Sequence, residues 1–159
     1  MRKYIDAEAI QHSMKLQQLG AKVHQINSKM CYIEFDLGKI KLEYVYNINN
    51  KGKYFLERIK PYPLPLKVFE SEIDIVETIK LDLSQFKNAI QSKNIENFVE
   101  INQMLNMSIK KFEDLFLYYN VPTLDMKEMR EMIEKVDKLI ELMKDDSVRI
   151  CFDKEPDNL

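Results

Sequence analysis

The chain has 159 residues, 45% of them hydrophobic and 31% charged, with a net charge of −2. That fits one globular domain, able to bury roughly 70% of the surface its unfolded form exposes, rather than a disordered chain. No stretch nears the roughly 18 uncharged apolar residues of a membrane helix, and Asp6, Glu8 and His12 interrupt the N-terminal apolar residues as no signal peptide does.

A cytoplasmic protein without membrane contact is therefore expected, its two cysteines, Cys31 and Cys151, being reduced structural thiols. The small net charge conceals an asymmetry. Residues 1–66 hold 11 Lys and Arg against 6 Asp and Glu, whereas residues 67–159 hold 13 against 20. The two halves attract each other or face different partners.

The first element reads as a short helix from an Asp6 N-cap to Gly20, with Ile10, Met14 and Leu16 or Leu19 giving it one apolar side to lay on something. Antiparallel sheet follows. Cys31, Ile33 and Phe35 alternate with Tyr32, Glu34 and Asp36. After a turn at Asp36–Gly38, Ile40, Leu42, Tyr44 and Tyr46 alternate with Lys39, Lys41 and Glu43. A second turn at 49–52 leads to a third strand, Lys53 to Lys60, and an earlier strand over 22–26 joins through Asn27 and Ser28. The meander thus has three or four strands.

Pro61, Pro63 and Pro65 then end the ladder, since proline lacks an N–H and fixes its φ. Alternating prolines read as a stiff, extended arm over 61–66, which joins the sheet half (1–60) to a mainly helical half (67–159) of a single domain.

Residues 69–83 fit both periods, and their β-branched content favours an extended segment. Ser84 caps a helix through Gln91, and Asn94 a longer one to Tyr119. Asn120–Thr123 breaks that helix. Asp125 and Glu128 form a capping box for a last helix, packed antiparallel on the one before. Its Met126, Met129, Ile133, Val136, Ile140 and Met143 step by three and four, as a heptad seam does. Val148, Ile150 and Phe152 offer an edge strand. The fold expected is α+β: an N-terminal helix, an antiparallel meander, and a helical half packed on one sheet face.

Chemistry is expected to be absent. All three glycines are used in turns, leaving none for a phosphate-cradling loop. His12 and His24 share no metal-ligand spacing with the cysteines, so no metal, cofactor or catalytic residue is expected. The leading functional reading is a non-enzymatic protein-interaction module, a regulator, adaptor or phage-type accessory protein. Met132, Leu139 and Leu142 widen the last helix's apolar face beyond one seam, so a second side needs burial, against the domain's own sheet or, with Met143, against a partner or second subunit.

The alternative is a nucleic-acid binder with a Tyr/Lys sheet face of Lys39, Lys41, Tyr44, Tyr46, Lys53 and Arg58, where rings stack on bases and cations neutralise phosphates. A third reading is an unfamiliar enzyme with acid–base residues drawn from Glu43, Glu57 and Arg58.

Overall fold

The computed structural model describes residues 2–26, 28–49, 51, 53–69 and 72–159. The elements run α1 (Arg2–Gln18), β1 (Ser28–Asp36), β2 (Lys41–Asn49), β3 (Tyr54–Lys60), β4 (Leu64–Phe69), α2 (Glu72–Ala89), α3 (Ile95–Tyr118) and α4 (Thr123–Asp145). The fold is α+β, with one antiparallel sheet in the order β1-β2-β3-β4.

Alternation sets the sheet. Ile33 and Phe35 of β1 are half-buried between exposed Tyr32, Glu34 and Asp36, and Phe35 pairs with fully buried Leu42. The β1–β2 turn closes where Gly38, at φ 82°, adopts the left-handed conformation that glycine alone takes without strain. Its N–H donates to Asp36 Oδ1 at 2.8 Å. At the next turn Asn49 Oδ1 accepts from the backbone N–H of Lys51 and of Lys53. Asn50 and Gly52 of that turn lie outside the described residues, as does Asn27.

Three expectations in this half are corrected. Residues 22–26 form no strand. The first helix begins by Arg2, so Asp6 lies inside it, and its Ile10, Met14, Leu16 and Leu19 are exposed rather than laid on the sheet. Those apolar residues fall on two sides of the helix instead of one stripe, which leaves no face to bury. The proline stretch is a hairpin turn, not an extended arm: after a cis Lys60–Pro61 bond the chain reverses and β4 pairs antiparallel with β3. Pro65 is tolerated inside β4 because that strand is an edge, with one side free of ladder bonds.

The extended reading of 69–83 is also corrected. Residues 72–89 form one helix, with Ser84 in its interior. Ile75, Ile79 and Phe86 fall on one helical face and are buried with Leu42, Tyr44 and Leu56 of the sheet in a single core cluster. Burial of that stripe outweighs the weak strand preference of its isoleucines.

Ile95 at the start of α3 joins the same core, and Phe98 meets Tyr62 edge-on at 5.7 Å. From Met107 onward every residue of α3 is exposed except half-buried Phe112. Sheet cover therefore comes from α2 and the first turns of α3. Pro122 takes the N-cap position of α4, three residues before the expected Asp125. The tail after Asp145 contains no strand, so Val148, Ile150 and Phe152 do not extend the sheet, and all three are exposed.

Candidate functional site

Two places carry unusual chemistry. The first is an ion pair between sheet and α2. Arg58 lies on the strand face that also buries Leu56, and only 3% of it is open. Its Nη1 donates to both carboxylate oxygens of Asp82 at 2.9 Å. The Tyr44 hydroxyl, on a ring 0% exposed, donates to Asp82 Oδ2 at 2.6 Å. Tyr62 and Phe86 stack over the guanidinium, their centroids 4.8 and 4.9 Å from Cζ.

Burial, and then the Asp82 hydrogen bond, push the Tyr44 phenol far above its usual range, and burial raises that of Tyr62. Both therefore stay protonated across the physiological range. A cavity of about 790 Å³ adjoins this pair, walled partly by tail residues 154–159. Arg58 and Asp82 are committed to each other, so the cluster acts as a clamp between layers. It offers no free nucleophile or base.

On the opposite sheet face the bulge at Ile59, between the pairs Tyr44↔Arg58 and Glu43↔Lys60, turns Lys60 toward Glu43. Lys60 Nζ donates to Glu43 Oε1 at 2.7 Å. That bond first, and one from the Tyr32 hydroxyl second, hold the Glu43 carboxyl below its ordinary value, while Tyr32 is pushed up to about 12. Lys60 is half exposed, so solvent screens the pair.

The second place is the hairpin of α3 and α4. A groove of about 890 Å³ runs between the helices, floored by Leu105, Ile109 and Phe112 from one and Met129, Ile133 and Val136 from the other. No residue of α4 is buried over its 23 positions. Even Val136, on the seam that faces α3, is 40% exposed. Met132, Leu139 and Leu142 lie beyond the groove, 48%, 55% and 61% exposed, and Met143 is equally open. All four residues expected at a partner surface thus stand on the open side of α4.

The expected nucleic-acid face is not one face. Tyr44 and Arg58 are buried under α2, and Tyr46 on the same side is half-buried. Lys41 points the other way, 3.4 Å from Glu34. Lys39 Nζ donates to the Ile90 carbonyl, and Lys53 is exposed at a strand end. The sheet likewise divides the third reading's residues, with Arg58 on the α2 side and Glu43 and Glu57 on the other. Among the described residues, no group of three or more His, Cys, Asp or Glu is placed to hold a metal, and no helix is long and apolar enough to cross a membrane.

Asp82 was missed by the sequence reading. Its signal is an acid on the apolar stripe of α2, between Ile79 and Phe86, matched by Arg58 at an inward position of β3. No family model, curated protein or solved structure matches the chain.

Proposed function

We propose that the protein is a non-enzymatic protein-interaction module, in which the α/β core is a scaffold and the α3–α4 hairpin is the binding element. One observation carries the reading: a 23-residue helix with a continuous apolar strip buries none of its residues within the chain. Full burial of a Leu or Met side chain contributes roughly 1.5–3 kcal/mol, so several exposed on one helix form a strong association surface. Methionines at Met129, Met132 and Met143 let that strip adapt to a partner's shape. The buried ion pair supports the scaffold role, because its groups are spent on joining sheet to helix.

The test is site-specific photocrosslinking in the native host, with a photoreactive residue at position 139 and a control at exposed position 53. A protein adduct at 139 and none at 53, whether at twice the chain mass or at another size, supports the reading. Absence of an adduct at 139 contradicts it.

A further inference from the structure

Beyond Asp145 the chain has neither helix nor strand, so its order rests on side chains. Arg149 supplies that order. Its Nε donates to the Cys151 carbonyl at 2.7 Å and its Nη2 to the Lys154 carbonyl at 3.0 Å. Its Nη1 donates to both Glu155 carboxylate oxygens, at 2.8 and 3.0 Å. The guanidinium also lies over the Phe152 ring, 5.3 Å from its centroid. Lys154 Nζ adds a bond to Asp157 at 2.6 Å. A guanidinium carries five donors in one plane, so a single side chain curls residues 149–155 into a hook.

All of these bonds are internal to the tail, and swinging the hook as one piece breaks none of them. A pivot lies beside it. Ser147 Oγ donates to the Met143 carbonyl and closes the end of α4. Val148, 89% exposed, joins that end to Arg149. With so little packed against it, its backbone dihedrals can absorb a rotation without disturbing neighbours. Ile150 and Phe152 of the hook are exposed as well, so little apolar burial opposes the movement.

The hook ends at the cavity beside Arg58 and Asp82. That cavity, about 790 Å³, falls in the size range of small-molecule sites. Tyr62, Leu81, Phe86 and Phe98 of the core wall it together with Arg58, and residues 154–159 supply the rest of its lining. We propose that the C-terminal tail is a hinged lid on this cavity, fastened by Arg149 and turning about Val148. The lid opens without unfolding of the core and admits solutes to the aromatic wall around Arg58. This device is independent of what binds α4.

The test is iodoacetamide labelling of a cysteine placed on the cavity wall by Gln85→Cys, read at that site by peptide mass spectrometry. Lys53→Cys, at an exposed position, reports the rate of an open thiol. With the tail intact, position 85 should react at least about tenfold more slowly than position 53, at a rate that low urea hardly changes, because local opening exposes little surface. Arg149→Ala, and more weakly Glu155→Ala, should bring position 85 close to the open rate. Neither should change the unfolding free energy by more than about 0.5 kcal/mol, as both sites are at the surface. Should Gln85→Cys fail to fold, Ala89→Cys on the same wall replaces it.

Equal rates at 85 and 53 with the tail intact would overturn the lid. So would a slow rate at 85 that Arg149→Ala leaves unchanged. A rate at 85 rising with urea as steeply as global unfolding would show that the tail does not open by itself, and would overturn the proposal too.

Discussion

Arg58 on β3 and Asp82 on α2 form a buried ion pair at 2.9 Å, with side chains 4% and 15% exposed. It is the main polar link between sheet and helix, and Tyr44 completes it. Removing one member leaves a charge buried without its mate, which costs about 3–5 kcal/mol, whereas replacing both by apolar residues is close to neutral. Asp82→Ala should lower stability by that amount in urea titration, and Arg58→Met with Asp82→Leu should recover most of it. A small effect of Asp82→Ala would show that solvent reaches the pair.

Tyr44 sets an alkaline limit. Its pKa is raised in the folded state from about 10.0, so its contribution is full below pH 10 and is lost as pH rises toward the folded value. Tyr62, Tyr32 and Lys60 shift the same way and add to this limb. Unfolding monitored against pH should therefore show stability falling above about pH 10. Tyr44→Phe should make that limb shallower and cost about 1.5–3 kcal/mol at neutral pH through the lost bond to a carboxylate.

Glu43 acts on the acid side. Its pKa is lowered, chiefly by the bond from Lys60, so its contribution is present above about pH 4.5 and disappears as pH falls through the folded value. Glu43→Gln should flatten the acid limb and leave the alkaline share of Tyr44 intact. The effect should be modest, since Lys60 is 54% exposed. An acid limb identical to wild type would mean the pair does not persist in solution.

Leu142 separates folding from association. The sheet does not cover it, so Leu142→Glu should change the unfolding free energy of dilute protein, from urea titration, by no more than about 0.5 kcal/mol, as surface substitutions do. Leu139→Glu, on the open side of α4, should weaken partner binding at least tenfold. A collapse in stability of dilute Leu142→Glu would mean the helix packs on its own chain.

The strands β1 to β3 were legible because period-two alternation and turn residues act locally: Ile33 and Phe35, and likewise Leu42 and Tyr44, fall on a common strand face from the pattern alone, although which face of β2 is buried does not follow from it. Helix α3 was legible from its Asn94 cap and the break at Asn120–Thr123, and α4 from its three-four spacing. The segment over 72–89 was not, because Ile73, Ile79 and Leu83 satisfy both periods, and only packing on the sheet decides between them. Misreading that segment hid Asp82, and without Asp82 an inward Arg58 looked like an exposed cation. The prolines misled because a hairpin and an extended arm begin with the same residues, and pairing of β4 with β3 is a long-range choice. Periodicity assigned Met132, Leu139 and Leu142 to a face needing cover from the sheet or a second chain; in the folded chain the sheet does not reach them and all three are exposed.

The most direct test of the account is the ¹³C-methyl spectrum of methionine-labelled protein before and after addition of unlabelled native-host lysate. Met132 and Met143 on α4 should shift or broaden, while Met14 on α1 and Met30 on β1 stay fixed. Shifts confined to Met14 and Met30, or a spectrum unchanged by the lysate, would contradict the claim that α4 is the association surface.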